Sequence, residues 1–523
     1  MEQMTSLATR KQGHTRQTKH YTRTHKWLDS GILGGWFAWF IGVIALGGML
    51  GGCATDVAKL EHFSKIYYQD SVPKAHKLAQ KHAKDNDLLW LIQAGVSGFQ
   101  SQSPAALELL DKSEEQLLAF EKDGILVSAL VQTGATLVND NVLEYRGNLY
   151  EGVFVNYYKA LLYLSSGDTE SARVELNRAN DRQRRAKDYY AKQIAKAMAQ
   201  EQARFEKSEA NGLVDTDSKQ VDKILHQHYS NLAAFSAFEH FINPSVSYLS
   251  GLIFALQGDS KGLDYLKEAY GISQSKLIAQ DLEYFLRQRA ARAKSSKHTN
   301  AFTWIILEEG RQVRKTEARI DLPLLTTQGF YHFGIALPQL ESTPQPSSTY
   351  TLGSSVRESS FELLAYIDGI IATEFEKQLQ AIATRALVSG SIKLAMQIAL
   401  HQGLEQVDPG LGLLGALAGH LYSRASTSAD LRITSVLPRQ ILLVRIKHEN
   451  AQQEVQILRG SQAITTLHIQ PCTPNPTESK AQAPKSQHAK SHNTIALCLG
   501  QDSILYIRDT PARAYTRLIF QAP

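Results

Sequence analysis

The chain has 523 residues, of which 43% are hydrophobic and 20% charged, with ordinary Gly and Pro contents. This composition excludes a disordered or fibrous chain, and the length is sufficient for two or more domains. The formal net charge is +5, but residues 1–52 hold six basic and two acidic residues, so their net of +4 leaves about +1 for the remainder. That balance gives no support to a nucleic-acid partner.

The first 52 residues are predicted to form a secretory signal peptide. Basic residues occur between Arg10 and Lys26, the segment 36–50 carries no charge, and small residues precede Cys53. A basic region, a short apolar region and small residues before a cleavage point are the three parts of such a signal. We assign the basic region to residues 1–30 and the apolar region to residues 31–52.

The four residues Leu50-Gly51-Gly52-Cys53 resemble a bacterial lipobox. In a lipobox the cysteine sulfur is acylated and the chain is cut just before it, so the resemblance implies a mature chain that begins at a lipidated Cys53. The alternative is an ordinary transmembrane anchor at residues 31–52, because roughly 20 apolar residues can span a membrane. The glycines that cluster before Cys53 favour cleavage.

The residues after Cys53 bear on the location of the protein. Ala54 and Thr55 follow, and no Asp stands directly after the cysteine. By resemblance to known sorting patterns, this favours the outer membrane over retention at the inner one. We expect a lipoprotein of the outer membrane that faces the periplasm, with display on the cell surface left open.

Residues 53–297 have helical periodicity throughout and are predicted to form one α-helical domain. Three stretches share a pattern of small residues that resembles the tetratricopeptide repeat, a helix pair of about 34 residues. Small residues at these points allow the two helices of a pair to approach closely, and the alternative is a generic array of antiparallel helices. The small residues are Ala94, Ala106, Ala160, Ala172, Gly251 and Gly262.

Two details of this pattern are specific enough to test. Ala160 and Ala172 are predicted to face each other, with Ala179 buried and Glu175 exposed. The turns at 167–168 and 258–259 each pair a Gly that ends one helix with an Asp that caps the next. Residues 180–206 are predicted to form a long charged helix with a solvated face, and an anionic contact is the functional alternative.

The helical periodicity of the sequence gives way to β-type patterns after residue 300. We predict a β segment at 298–340, a helical segment at 341–428 and a β-rich domain at 429–523, which contains a flexible Pro/Ser/Lys/Gln insertion at 471–493. The expected fold class is α+β, mainly α, with a tetratricopeptide-like helical array followed by a mixed helical and β-sandwich-like C-terminal region.

Cys472 and Cys498 are the only cysteines after Cys53. They flank the insertion, and if the two neighbouring strands pair as a hairpin, the cysteines come close enough for a disulfide. An oxidising periplasm would allow the bond to form. The alternative is two unpaired cysteines on a β surface.

No motif in the chain predicts catalysis, a cofactor or a metal. Gly410, Gly412 and Gly415 match the dinucleotide fingerprint, but no strand precedes them and they lie in an apolar helical run. We interpret Gly415 and Gly419 instead as positions where a neighbouring element packs closely. His488 and His492 are four residues apart but lie in the insertion, without a neighbouring carboxylate. Neither a nucleophile elbow nor a phosphate loop occurs in the sequence.

Several segments together resemble a family of uncharacterised bacterial outer-membrane lipoproteins with tetratricopeptide-like helices. The segments are 157–161, 172–175, 243–251, 319–324 and 429–432, with Leu437-Pro438 and Arg445 after the last. The resemblance implies a fold and a location, and it supplies no catalytic residue. We expect a lipid-anchored scaffold or adaptor that binds envelope protein partners through a concave helical-repeat surface. An envelope enzyme or a regulator of peptidoglycan synthesis is the alternative.

Overall fold

The structure is a computed structural model that describes residues 57–85, 87–122, 144–207, 242–293, 300–326, 329–343, 348–353, 360–449, 451–472 and 493–522, together with 223, 226–229 and 232. These residues belong to one compact unit, 52–523. The predicted signal peptide and Cys53 lie outside the described residues.

The N-terminal half is helical, as predicted. Apolar helices alternate with more polar ones that follow them after short turns. The helices are α1 (57–69), α2 (Val72–His82), α3 (Leu88–Gln100), α4 (Ala106–Lys122), α5 (Leu149–Ser165), α6 (Thr169–Glu206), α7 (Pro244–Leu256), α8 (Lys261–Ser273) and α9 (Lys276–Ala293). Because α3, α5 and α7 are buried along nearly their whole length, we call them the inner helices, and α4, α6 and α8, which pack on them, the outer helices.

The predicted turns explain where the helices begin and end. Gly167 and Gly258 both have a φ of +83°, a left-handed conformation that a glycine adopts without strain. The carboxylate of Asp168 accepts a hydrogen bond from the Ser171 N–H at 3.0 Å, and Asp259 accepts one from the Lys261 N–H at 3.0 Å. Each turn therefore supplies partners for backbone groups that the helix end leaves unpaired.

The small residues lie where consecutive helices come closest. All six predicted packing residues are buried, as is Ala179. A Cβ atom added to Gly262 would lie 2.7 Å from the Gly251 carbonyl oxygen, so these two glycines set the approach of α7 and α8. Between α3 and α4 the tightest approach is at Gly95 and Gly98, which face Leu110 and Ala106.

The prediction that Glu175 is exposed is wrong. Its carboxylate is buried and lies 3.0 Å from the Lys159 ammonium of α5, which also lies 2.9 Å from Asp111. Asn156 donates a hydrogen bond to Glu175 at 2.6 Å. Glu175 therefore faces α5, where it pairs with the buried Lys159, and does not face the solvent.

The C-terminal half contains all the strands and two further helices of the described chain. The strands are β1 (Phe302–Glu309), β2 (Arg314–Thr326), β3 (Gly329–Glu341), β4 (Tyr350–Leu352), β5 (Glu362–Tyr366), β6 (Gln440–Lys447), β7 (Gln453–Arg459), β8 (Gln462–Gln470), β9 (Asn493–Cys498), β10 (Ser503–Asp509) and β11 (Ala514–Gln521). The helices α10 (Ile367–Glu405) and α11 (Pro409–Ser426) separate β5 from β6. The α+β class is confirmed.

The sheets do not follow the segments predicted from the sequence. The five-stranded sheet has the order β11-β10-β1-β6-β5, so β1 lies at its centre, parallel to β10 and antiparallel to β6. The predicted boundaries at 340 and 428 therefore cut through one sheet. β2 and β3 form a separate two-stranded sheet, and both β4 and β5 lie within the predicted helical segment.

The five-stranded sheet lies between the helices and a four-stranded sheet of order β4-β7-β8-β9. Trp304 and Ile306 of β1 pack into the core that contains the helices, whereas Ile305 and Leu307 pack against the four-stranded sheet. This alternation is the period of two that a strand buried on both faces requires. One face of the five-stranded sheet is therefore covered by helices and the other by the four-stranded sheet.

Candidate functional site

Cys472 and Cys498 are joined by a disulfide, with a Cα–Cα distance of 5.2 Å. The geometry that brings them together differs from the predicted hairpin. β8 and β9 run parallel, with Leu467 opposite Ile495 and Gln470 opposite Cys498. Both cysteines therefore lie at the C-terminal ends of neighbouring strands, and most of the 471–493 insertion lies outside the described residues.

Helices α1, α3 and α5 hold a segment of the same chain, where a concave binding surface was expected. The irregular segment 427–439 connects α11 to β6, and its residues 433–437 are buried. The Tyr68 hydroxyl of α1 donates to the Ser435 carbonyl at 2.8 Å, and the Ser435 hydroxyl donates to Gln93 of α3 at 2.6 Å. The Thr434 N–H donates to Glu151 of α5 at 3.1 Å. The surface formed by these three helices is thus already occupied.

A buried charged cluster joins the helices to the five-stranded sheet. Tyr158 and Tyr506 donate hydrogen bonds to the Glu308 carboxylate at 2.8 and 2.7 Å. Arg508 donates to the Glu308 carbonyl at 3.2 Å and to the Tyr67 hydroxyl at 3.2 Å. Burial raises the pKa of Glu308 to about 7, although the Arg508 charge opposes that shift.

This cluster contains the residue types of an acid–base site, but it is not accessible from the solvent. Glu308, Arg508 and Tyr158 are 0% exposed, so a substrate does not reach them. A raised carboxyl pKa is as characteristic of a structural ion-pair network as of a catalytic site. The cluster fastens α1 and α5 to β1 and β10.

Ser423, His332 and Asp321 form a second arrangement that resembles catalytic machinery. The Ser423 hydroxyl lies 3.5 Å from His332 Nδ1, and His332 Nε2 lies 2.9 Å from an Asp321 oxygen. Ser423 is 1% exposed on the inner side of α11, and burial lowers the pKa of His332. A nucleophile must reach its substrate, so these residues are interpreted as contacts that hold α11 on β3.

The described residues do not favour a cofactor or a metal. No group of three or more His, Cys, Asp or Glu side chains in this part of the chain has the arrangement of a metal site. His488 and His492 lie outside it. A small depression of about 140 Å³ is lined by Arg459, Gln462 and Arg513, but Arg459 is already paired with Asp509 at 3.1 Å.

An exposed apolar surface lies on α10 and α11 and on the turn between them. Its most exposed members, Val407 and Leu413, are 74% and 72% exposed. Large contiguous apolar surfaces on soluble domains mark interaction sites. We define the hairpin surface as the exposed side chains of Met396, Leu400, Val407, Leu411, Leu413, Leu414, Leu417 and Leu421.

The glycines of the dinucleotide-like motif explain why these leucines point outward. A Cβ atom added to Gly412 would lie 2.9 Å from the Glu405 Cβ, and one added to Gly415 would lie 2.5 Å from Leu404. Gly410 lies at the start of α11, where its N–H donates to Asp408 at 2.7 Å. The packing interpretation of Gly415 and Gly419 is therefore confirmed, because this side of α11 lies against Leu404 and Gln397 of α10.

Sequence reasoning identified α11 but missed the hairpin surface. Two features of the sequence could have indicated this surface: residues 409–423 carry no charged side chain, and the glycines lie on one helical face. Among the described helices, none is both long and apolar enough to cross a membrane.

Comparison of the chain with known protein families, with curated proteins and with solved structures found no match in any of the three.

Proposed function

We propose that this protein is a lipid-anchored scaffold of the bacterial cell envelope, which faces the periplasm from the outer membrane and holds protein partners there. The proposal starts from the lipobox-like residues that end at Cys53. The disulfide between Cys472 and Cys498 supports it, because such bonds persist in oxidising compartments such as the periplasm.

The hairpin surface is the observation that carries an interaction function. It exposes large apolar side chains to water, whereas the clusters with acid–base character around Glu308 and Ser423 are buried. An enzyme requires reactive groups that line an accessible pocket. A protein that functions through contacts requires an accessible face, and the hairpin surface is one such face, separate from the helices to which protein partners are assigned.

The helix pairs α3–α4, α5–α6 and α7–α8 are proposed to be tetratricopeptide-like units. Each inner helix packs closely on the outer helix that follows it, through small residues such as Gly251 and Gly262. Because segment 427–439 occupies the inner side of α1, α3 and α5, protein partners are assigned to the outer helices instead. This changes the surface expected from the sequence while retaining the scaffold function.

A site-specific photocrosslinker tests the assignment in intact cells. Val174 on the outer helix α6 is 48% exposed, and Gln456 on β7 is an exposed control on the four-stranded sheet. We expect a crosslinked product of one defined mass from position 174 that is missing from position 456. Identification of the same captured protein after independent crosslinking from α4 or α8 would support the scaffold.

Absence of a product from every outer-helix position would contradict the assigned surface. Capture that is unchanged when Cys53→Ala blocks lipid attachment would contradict the need for the lipid anchor.

A further inference from the structure

The face of α11 that points to solvent is apolar along its whole central part. The outward positions from residue 410 to residue 421 are Gly, Leu or Ala. The inward positions are Gly412, Gly415, Gly419 and Ser423, which are buried. A Cβ atom added to Gly419 would lie 3.1 Å from the Gln397 side chain of α10.

This arrangement is the reverse of a helix that packs in water. A water-soluble helix buries its large apolar side chains and exposes polar ones. Helix pairs in membranes pack through small residues spaced four apart, which leaves the large apolar side chains to face lipid. Gly415, Gly419 and Ser423 have that spacing, and Leu413, Leu417 and Leu421 lie on the opposite side of the helix.

The composition of the hairpin surface favours lipid over a protein partner. Its side chains are Leu, Val and Met. Protein interfaces mix apolar and polar area, and their binding energy is concentrated in Trp, Tyr and Arg, with Leu under-represented. A bilayer needs no such anchors, because it accepts any surface that is apolar throughout.

The length of the apolar face decides how it meets the bilayer. Residues 410–421 span about 18 Å of helix, less than the roughly 30 Å of a hydrocarbon core. Glu405, Asp408 and Arg424 are exposed at its two ends, and charged groups are costly in the hydrocarbon. The helix therefore fits the plane of the interface rather than a spanning orientation.

We propose that the hairpin surface is a lipid-binding element, which lies in the membrane plane with its leucines in the boundary between headgroups and acyl chains. This assigns the hairpin surface to lipid, while protein partners stay assigned to the outer helices, and it rests on the proposed function because the Cys53 lipid holds the chain at a membrane. The hairpin surface would then be a second contact, which fixes the orientation of the protein on the bilayer.

Tryptophan fluorescence in proteoliposomes tests the proposal. Leu417→Trp places a reporter at a 56% exposed position of α11, and Leu363→Trp places the matched control at a 46% exposed position of β5. Each variant is purified as mature protein and reconstituted into phosphatidylethanolamine–phosphatidylglycerol vesicles, with or without bromine-labelled acyl chains. The parent signal, which includes the buried Trp90 and Trp304, is subtracted.

We expect bromolipid to quench the Leu417→Trp reporter about twofold or more, because its ring would lie roughly 5–10 Å below the interface. The Leu363→Trp reporter should be unaffected. Leu413→Trp provides a second reporter if Leu417→Trp folds poorly. If bromolipid quenches the Leu417→Trp and Leu363→Trp reporters equally and weakly in correctly folded protein, the proposal is overturned.

Two further measurements distinguish a failure of the proposed Cys53 anchor from a failure of the lipid-binding element. The mass of the N-terminal peptide shows whether Cys53 carries lipid. Quenching of Leu417→Trp in protein that has no lipid, mixed with vesicles, would support the lipid-binding element while contradicting the anchor. A shift of Leu417→Trp emission that depends on protein concentration and not on vesicles would assign the surface to a protein contact and overturn the proposal.

Discussion

Gly262 lies where α8 comes closest to α7, and it has no room for a side chain. A Cβ atom there would lie 2.4 Å from the Ala255 nitrogen and 2.7 Å from the Gly251 oxygen, both of which are backbone atoms. Because backbone atoms cannot rotate away, we expect Gly262→Ala to lower the free energy of unfolding by about 1–3 kcal/mol. Urea denaturation of the parent and the variant measures this.

Gly271 is the matched control on the same helix, because a Cβ atom there would meet nothing within 4 Å. Gly271→Ala should leave stability unchanged or raise it by up to about 1 kcal/mol, since alanine restricts the unfolded chain. Equal destabilisation by the two substitutions would show that helix geometry, rather than the close approach, is responsible.

Glu308 should make stability depend on pH. Burial raises its pKa from 4.5 to about 7, so across that window the native state retains a proton that the unfolded chain has released. Stability then falls as the pH rises from about 4.5 to 7, by about 3 kcal/mol in total. Glu308→Gln retains an oxygen that can accept from Tyr158 and Tyr506 but does not titrate.

The measurement is the urea midpoint of parent and Glu308→Gln at pH 5 and pH 8. We expect the variant to gain stability relative to the parent at the higher pH. A constant difference between the two proteins over this range would mean that Glu308 remains ionised throughout, stabilised by Arg508.

At the scale of elements, the parallel pairing of β8 and β9 places Cys472 and Cys498 at the same end of the four-stranded sheet. Their disulfide closes a loop with a sequence separation of 26 residues. In the chain-entropy description this stabilises the fold by about 3.5 kcal/mol. We expect Cys498→Ser to lower the free energy of unfolding by about that amount.

A reductant should lower the stability of the parent and leave a Cys472→Ser/Cys498→Ser double variant unchanged. Mass spectrometry of non-reduced protein taken directly from the cell envelope checks the bond itself. Free thiols on both residues in that sample would contradict it.

At the scale of the whole molecule, the proposed lipid anchor would decide where the protein functions. The residues that end at Cys53 lie outside the described part of the chain, so the prediction rests on the sequence. Cys53→Ala removes the sulfur that would be acylated. We expect uncut precursor and loss of labelled fatty-acid incorporation, measured by gel mobility and metabolic labelling.

Cys472→Ser is the matched control for the anchor, because it removes a cysteine elsewhere and should leave lipid incorporation intact. If Cys53→Ala still incorporates labelled fatty acid, or is cut at the same position, the lipoprotein assignment is wrong.

Local features of the sequence were sufficient to locate most helices and strands. The turn at Gly167-Asp168 and the strands at Gln440–Lys447 and Ser503–Asp509 were predictable, because periodicity, capping and turn chemistry act within a few residues of each other. The same local reasoning correctly interpreted Gly415 and Gly419 as packing positions. It also predicts a lipid anchor at Cys53, because that signal is a short contiguous motif.

The tertiary structure decided what depends on contacts between distant segments. β1 pairs with β10 at Thr303 and Ser503, about 200 residues apart in the chain, and no local pattern specifies that partner. Glu175 is buried because it pairs with Lys159 of the neighbouring helix. Residues 433–437 are buried because α1, α3 and α5 provide their hydrogen-bond partners. The leucines of α11 form an exposed surface because the glycines on the other side of the helix pack against α10. Periodicity defines the faces of an element, whereas the rest of the fold determines which face is covered.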